Sequence, residues 1–363
     1  MNRDSQLHMI AASLAIIATI AMGWFLNSAQ AILVPIVLGA LMAFLLDGIS
    51  RGLERIPLYG RVPVGFRVAI TSLVLFVLLI IGVAFFARNM EPVVRALPSY
   101  LENLSLLASQ IAGRFDYEVE ITWQSLNKLL FDSVNLNVIV RYTLNSLSYS
   151  AGYLIVVFLY AILFLLEKNV LRAKIGHIVE DAEAETNVWS TFDLITSQIG
   201  TYFTMKTLVN TVLGILCYVI FLLFGIEFAG FFALLTAIFN YIPYVGSWIA
   251  VALPMLFATG QFGLGWEVPV LLVLTGGVQM AIGYFWEPRL MGKSMNLSPV
   301  VVLISLAAWT AIWGLAGAIL SVILTSGVMT VLGLFPSTRP IAILMTNTGE
   351  PPVEVLEGRR RDR

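Results

Sequence analysis

Residues 228–257 read FAGFFALLTAIFNYIPYVGSWIAVALPMLF, an apolar stretch with a polar interruption near its middle. As one helix, these 30 residues would be about 45 Å long, against a bilayer core of about 30 Å. The interruption, NYIPYVG, contains Pro243 and Gly246, which both oppose a continuous helix. Unpaired backbone at membrane depth is tolerated only where protein or a water-filled cavity satisfies it. The stretch therefore predicts a broken membrane helix, the kind of element that forms binding sites in transporters.

Residues 298–334 form a second long apolar stretch with a break of its own. Trp309 and Trp313 mark this break, and Gly314 opens the sequence GLAG, which permits a tight turn or a close helix approach. Each broken stretch is either a re-entrant hairpin or a pair of short spans. Both arrangements return the chain to the side it left, so charge counting cannot separate them. The first stretch is predicted to open from outside and the second from inside, as in an inverted repeat.

The composition places the whole chain in the membrane class. Hydrophobic residues make up 59% of it, charged residues 12%, and the mean hydropathy is +0.89, whereas a soluble domain carries roughly 25% charged residues. The net charge of −1 and the lack of a basic stripe predict no nucleic-acid partner. The single Cys217 and two separated histidines predict neither a disulfide nor a metal site. The sequence has no GxSxG, HExxH, CxxC or Walker motif, so we expect no enzyme activity and no cofactor.

Six further apolar segments are predicted to cross the membrane as complete helices. They cover residues 7–26, 31–46, 68–87, 147–166, 207–226 and 268–286. With the two broken stretches, the predicted fold is an all-α integral membrane protein of eight hydrophobic elements. The predicted regions are N-terminal membrane helices (1–88), an extracytoplasmic and mostly helical segment (89–146), a fourth span with cytoplasmic amphipathic helices (147–206), a transport core (207–340) and a disordered cytoplasmic tail (341–363).

The basic residues predict the orientation of the chain. Sixteen of the 21 lysines and arginines fall on one side of the membrane if each broken stretch returns to the side it left. Because lysine and arginine accumulate in cytoplasmic loops, both termini are predicted to be cytoplasmic. The arginines at 359–361 could then contact anionic lipid.

Two regions outside the spans allow alternative interpretations. Residues 89–146 could form a lid or receptor surface, but an oligomerisation and packing element is the favoured interpretation. The acidic run at 180–185 could bind a metal, although a solvated helix face is favoured because nothing supplies an ordered loop around it.

The first break carries most of the candidate substrate site, which comprises Asn240, Tyr241, Pro243, Tyr244, Gly246, Gln279 and, at the second break, Gly314. Asn240, Tyr241 and Tyr244 lie where freed carbonyl groups and a side-chain amide could bind a small polar solute or a cation. The structural alternative is that Asn240 caps a half-helix and Pro243 shapes the turn. Gln279 lies inside a span, where an amide facing lipid would be costly, so it faces either a pathway or another helix. Polar residues at 207, 210 and 211 favour contacts between helices over solute binding.

Three charged residues, Glu287, Arg289 and Asp47, are candidates for coupling or gating. Glu287 could couple transport to H⁺ or Na⁺, or could form an interfacial ion pair with Arg289 or Lys293. Asp47, at the inner end of the second span, has the same two interpretations.

These motifs together resemble one known family. The sequence FNYIPYVG at 239–246 resembles the N-[YF]-I-P-x-x-G signature of the autoinducer-2 exporter family of permease-like proteins. EPRLMG at 287–292, LSP at 297–299 and WGLAG at 313–317 look like the rest of its C-terminal pattern. The resemblance implies an inner-membrane transporter with re-entrant hairpins and elevator-like motion that assembles as a homopentamer. It is similar to exporters of the quorum-sensing signal autoinducer-2 (AI-2) and to members proposed as sodium–proton antiporters.

Three functions remain open at this point. The first is a secondary transporter that exports a small polar metabolite. The second is a cation–proton antiporter, which should have acidic residues at mid-membrane depth, whereas Glu287 and Asp47 lie near helix ends. The third is a membrane scaffold with no solute at its polar break.

Overall fold

The computed structural model describes residues 3–54, 59, 62–114, 152–167, 170, 182–291 and 296–350. Almost all of them lie in helices. The helices are α1 (Arg3–Ser28), α2 (Gln30–Leu53), α3 (Val64–Arg114), α4 (Gly152–Glu167), α5 (Ala182–Leu223), α6 (Ala229–Phe239), α7 (Val245–Phe262), α8 (Glu267–Met280), a π-helical turn (Ala281–Trp286), α9 (Glu287–Met291), α10 (Pro299–Leu334) and α11 (Arg339–Met345).

The predicted all-α membrane fold is confirmed. Six described helices are long and apolar enough to cross a bilayer: Gln30–Leu53, Val64–Leu107, Thr196–Leu223, Val245–Phe262, Glu267–Leu290 and Pro299–Leu334. Three shorter apolar helices accompany them: Ile16–Ser28, Gly152–Glu167 and Ala229–Phe239. Within the described ranges, the only β-type pairing is an isolated bridge between Leu297 and Thr346.

Two helices run further than their apolar segments. Helix α3 continues unbroken through Pro92 and Pro98 to Arg114, past the predicted boundary at 88. Helix α5 joins the predicted amphipathic segment and the fifth span into one 42-residue helix. Hydropathy marks where a chain meets the membrane surface, but backbone hydrogen bonding continues beyond that surface. The predicted region boundaries stay predictions, and residues 115–151 lie outside the described part of the chain.

The predicted disorder from residue 341 is wrong for the first part of the tail. Helix α11 begins with Pro340 in its first turn, where the missing N–H costs nothing, and it fully buries Ala342. The Ser298 N–H also bonds to the Met345 carbonyl at 2.9 Å. Local proline content suggested disorder, but burial against α10 orders the segment. Residues 351–363, with the three arginines, lie outside the described residues.

The chain divides into two compact units by its internal contacts. One comprises Met1–Ala43, Leu159–Ile199 and Met295–Arg363, and the other comprises Phe44–Phe158 and Gly200–Ser294. In the first unit, α1 packs against α10. The Trp313 indole N–H of α10 donates to the carbonyl of Leu26 in α1 at 2.9 Å.

The second unit is built around the hairpin formed by α6 and α7. Helices α3 and α8 pack against this hairpin, and its core is aromatic, with the rings of Phe232 and Phe257 only 4.7 Å apart. The Thr236 hydroxyl donates to the Ala250 carbonyl at 3.2 Å and ties the two arms together. A Cβ on Gly214 of α5 would lie 3.0 Å from the Ala237 methyl group, so glycine permits the close approach of α5 and α6.

The open end of this hairpin is attached to α3. The Tyr100 hydroxyl donates to the Glu227 carboxylate, just before α6. The Asn103 amide donates to the Gly260 carbonyl near the end of α7 at 2.9 Å, and the Gln261 amide donates to the Gly225 carbonyl at 2.8 Å. These hydrogen bonds all lie at the open end of the hairpin, and the tip lies at the other end of the two helices.

Candidate functional site

The first break is a tight reversal at the tip of the α6–α7 hairpin. Helix α6 has 11 residues and is therefore about 16 Å long, too short to cross a bilayer core of about 30 Å. The Ile242 N–H bonds to the Phe239 carbonyl at 2.8 Å. The next residue, Pro243, has no N–H with which to continue the helix. The chain then turns at Tyr244 and restarts as α7.

Tyr244 at this tip has an unusual backbone conformation, and Gly246 lies unusually close to another backbone segment. Tyr244 has φ 58° and ψ −60°, and the Val245 N–H bonds to the Pro243 carbonyl at 2.6 Å, which defines a γ-turn of the rare positive-φ type. A Cβ on Gly246 would lie 1.7 Å from the Phe239 carbonyl oxygen, so only glycine fits there. Strained backbone of this kind persists where surrounding structure holds it, and it is concentrated at functional sites.

Asn240 is the centre of a buried network of carboxamide groups. Only 5% of this residue is exposed. Its amide nitrogen donates to the Asn210 side-chain oxygen on α5 at 2.8 Å. Its side-chain oxygen accepts hydrogen bonds from Gln279 on α8 at 2.7 Å and from the Ser247 hydroxyl on α7 at 3.1 Å. Side chains from three helices therefore converge on the end of α6.

Two polar atoms of this network are buried without a hydrogen-bond partner in the described structure. They are the Asn210 amide nitrogen and the Gln279 side-chain oxygen. One is a donor and the other an acceptor, and leaving such groups unpaired in an apolar interior is costly. The arrangement can therefore bind a solute that both accepts and donates hydrogen bonds.

The remaining residues of the predicted substrate site divide between the network and its surroundings. The Tyr241 hydroxyl donates to the Thr207 hydroxyl on α5 at 2.8 Å, and its ring lies 6.1 Å from the Phe203 ring. Tyr244 is half exposed and makes no side-chain hydrogen bond within the described residues. Pro243 and Gly246 shape the tip through the backbone.

Glu287 pairs with a residue that the sequence analysis did not connect to it. Its carboxylate lies 2.5 Å from the Lys206 ammonium group on α5, with 9% of the Lys206 side chain and 21% of the Glu287 side chain exposed. Arg289, one of the two predicted partners, is exposed, and Lys293 lies outside the described residues. Lys206 is one helical turn before Asn210, so the ion pair lies about 6 Å along α5 from the amide network.

Asp47 is not brought to this network by any contact that the structure describes. Its carboxylate pairs with Arg51 on the same helix at 3.0 Å, and 71% of the Arg51 side chain is exposed. Because the arginine of this pair is mostly exposed, the pair contributes little to stability. The role of Asp47 in coupling stays a prediction.

The second break lies in the other unit and is also a hairpin tip. Trp313 and Gly314 have non-helical backbone angles, and Gly314 has φ 58°. The Trp309 indole donates to the Thr325 hydroxyl at 3.0 Å, although 16 residues of straight helix would separate them by about 24 Å. A Cβ on Gly317 would lie 1.9 Å from the Trp309 carbonyl oxygen, a contact like that of Gly246 with Phe239.

The surroundings of Gly314 differ from those of the first tip. Gly314 itself is exposed. A cavity of about 660 Å³ between α1 and α10 is lined mainly by apolar residues such as Met22, Ile304 and Ile312. The polar groups that could bind a solute, among the described residues, therefore accumulate at the first tip.

Sequence reasoning missed three parts of the site. Ser247 had no distinguishing local signal. Asn210 was interpreted as a contact between helices, which it is, but it also carries one of the unpaired atoms. Lys206 could have been found, because a lysine at the margin of an apolar helix needs a partner or a route to water. In the described residues, no group of three or more His, Cys, Asp or Glu could hold a metal ion.

Comparison with known proteins agrees with this architecture. The model of the AI-2E family transporters matches residues 14–336. A Haemophilus influenzae protein, named as a transport protein without a substrate, is 25% identical over 95% of this chain and 98% of its own length. The AI-2 transport protein TqsA of Escherichia coli K12 is 25% identical over 88% of this chain and 90% of its own. A Borreliella burgdorferi protein, named as a transport protein without a substrate, is 28% identical over 62% of this chain and 61% of its own.

The family match spans both hairpins, the Asn240 network and the Lys206–Glu287 pair. The function of its members is transport across membranes, and the six candidate membrane helices fit that function. This chain therefore belongs to the AI-2E family of transporters.

Proposed function

We propose that this protein is a secondary transporter that exports a small polar solute, AI-2 or a similar metabolite, by alternating access with elevator-like motion. The observation that carries the proposal is the buried network of Asn210, Asn240 and Gln279 at a break in a membrane hairpin. Buried polar groups in a membrane interior are costly and are usually functional. The name of the relative TqsA supports AI-2 as the first solute to test.

The chemistry of the network favours an uncharged solute. Its direct members are carboxamide and hydroxyl groups, which donate and accept hydrogen bonds without carrying charge. The unpaired Asn210 nitrogen and Gln279 oxygen are available as a donor and an acceptor. A solute with neighbouring hydroxyl groups would satisfy both.

The test is uptake of AI-2 into inside-out membrane vesicles prepared from cells that express the protein. Asn240→Leu removes the side chain that holds Asn210 and Gln279 in place and leaves its three hydrogen-bond partners unpaired. A buried unpaired polar group costs about 1–3 kcal/mol, so we expect uptake affinity to fall roughly ten- to a hundredfold. Thr275→Val is the matched control, because Thr275 is buried on α8 but its hydroxyl bonds only within its own helix. Equal uptake by wild type and Asn240→Leu, at equal amounts of protein, would refute the proposed site.

A second candidate function is cation–proton antiport. The observation that favours it is the largely buried Lys206–Glu287 pair, because a buried carboxylate can exchange its partner for a proton or Na⁺. Under this proposal Glu287 is the coupling group, with Arg289 and Asp47 as secondary candidates. Sodium-dependent proton flux in the same vesicles, lost in Glu287→Gln, would support it. A protein with neither AI-2 uptake nor proton flux would leave transport of another polar solute and the scaffold interpretation.

The location and assembly are part of the proposal. We place the protein in the inner membrane as a homo-oligomer, with five copies as the number suggested by the family resemblance. Native mass spectrometry in several mild detergents should detect pentamers. Monomers alone in every detergent would contradict this assembly.

A further inference from the structure

The π-helical turn between α8 and α9 determines which way Glu287 faces. The Glu287 N–H bonds to the carbonyl of Ile282, five residues earlier, which is the bonding pattern of a π-helix. Ile282 is buried, whereas Tyr284 and Phe285 within the same turn are 73% and 63% exposed. The turn therefore keeps Ile282 and Glu287 on the buried side and its own middle residues outside.

Helical phase shows how much this turn changes. At about 100° per residue, an α-helix would place Glu287 about 140° around the axis from Ile282. A π turn accommodates one surplus residue, so the five steps act as four and the angle falls to about 40°. For Gln279 and Glu287 the same correction reduces the angle from about 80° to about 20°. Without the π turn, Gln279 could stay on Asn240 while Glu287 turned away from α5.

Two residues outside the turn favour this register. Lys206 is largely buried and has its ion pair only when Glu287 faces it. Pro288 has no N–H and its ring would clash with the carbonyl four residues earlier, that of Tyr284, in a continuous α-helix. In the π turn the Tyr284 carbonyl is not required to accept a hydrogen bond from position 288.

We propose that Lys206 and Pro288 are positioning residues, which hold the π register and so place Glu287 on the same helix face as the solute-binding Gln279. The register itself is independent of what is transported. Its consequence for transport rests on the proposed function, because it assigns Glu287 to the pathway beside the amide network.

The first test measures the register without any solute. Spin labels at position 208 on α5 and position 289 on α9, both exposed in the structure, are introduced after Cys217→Ala. Pulsed EPR should give one narrow distance for this protein. Adding both Lys206→Met and Pro288→Ala should release the register, so that the label at position 289 turns by about 100° around the helix axis. On a helix about 10–12 Å wide this moves the label by about 8 Å, and the distance between the two labels should change accordingly.

A rescue variant separates register from general disruption. In the variant with Lys206→Met and Pro288→Ala, deleting Tyr284 leaves Glu287 four residues after Ile282 instead of five. A regular α-helix then places Glu287 on the same helix face as in the original structure. We expect the original distance to return. An unchanged distance in the released variant, or no return after the deletion, would overturn the proposal. Size-exclusion profiles confirm that each variant is folded.

The second test uses transport. Deleting Tyr284 together with Pro288→Ala, which prevents a ring clash with the Gly283 carbonyl in the resulting α-helix, should keep Glu287 on Lys206 and preserve uptake within about twofold. Val273 is as exposed as Tyr284, at 71%, but lies in regular α-helix. Deleting it should abolish uptake, because Gln279 would then rotate by about 100° around the helix axis relative to the buried Leu271. If the EPR distances behave as expected but no variant affects transport, the register stands and the pathway role of Glu287 fails. If the two deletions impair transport equally, the positioning role is refuted.

Discussion

At the scale of single residues, the hairpin tip depends on groups that have no substitute. Asn240 uses both ends of its carboxamide, donating to Asn210 and accepting from Gln279 and Ser247. A leucine would match its size but leave three partners unpaired in a buried site. A glycine is likewise required at Gly246, for steric rather than conformational reasons.

Gly246→Ala should destabilise the tip because its methyl group would overlap the Phe239 carbonyl. Overpacking of this kind costs about 1–3 kcal/mol, which should lower the melting temperature in detergent by several degrees. Gly276→Ala on α8 is the control, since nothing lies within 4 Å of its Cβ position and alanine favours a helix. Equal melting temperatures for Gly246→Ala and wild type would show that the tip relaxes freely.

Breaking the Lys206–Glu287 pair should be costly from either side. Lys206→Met or Glu287→Gln alone leaves a largely buried charge without its partner, so we expect a loss of about 3 kcal/mol in unfolding free energy. The double variant should lose less than the sum of the two. Arg51→Met breaks a pair whose arginine is mostly exposed, so it should cost less than about 1 kcal/mol. Additive effects at Lys206 and Glu287, measured by denaturant unfolding, would argue against direct coupling.

At the scale of elements, each hairpin is a pair of helices that a short break turns back on itself. Both tips place a glycine against a carbonyl from the preceding arm, Gly246 on Phe239 and Gly317 on Trp309. The first hairpin differs in two ways, because its open end is bonded to α3 and its tip carries the amide network.

Pro243→Ala tests whether proline is needed for the first break. Alanine restores an N–H that can bond to the Phe239 carbonyl and extend α6. We expect transport to fall at least tenfold while membrane insertion and the amount of protein stay normal. Hydrogen–deuterium exchange of residues 240–246 should become slower as the helix extends. Wild-type transport in this variant would mean that Gly246 and the surrounding contacts are sufficient for the break.

At the scale of the whole molecule, the basic residues predict cytoplasmic termini, and accessibility can test this. Cysteines at Ser28 and Leu264 should react with an impermeant maleimide on intact cells, while cysteines at Arg51 and Ser337 should not. All four side chains are exposed in the structure, and Cys217→Ala removes the native thiol. Permeabilised cells serve as the control, since all four should then react. Reaction at Arg51 or Ser337 in intact cells would reverse the predicted orientation.

The sequence by itself determined the membrane class, the all-helical fold and the position of both breaks. These properties follow from short stretches of chain, because hydropathy, the missing proline N–H and the conformational freedom of glycine act locally. Helix ends were predicted less well, since α3 and α5 continue past their apolar segments and α11 forms beyond the last of them.

Only the tertiary structure decided which side chains form the site. Asn240 meets Asn210 across 30 residues and Gln279 across 39, and Lys206 meets Glu287 across 81. Such pairings depend on how each helix is rotated and where it packs, and hydropathy does not encode that rotation. The π turn is the clearest case, because one surplus residue turns Glu287 from the outer face to the buried one.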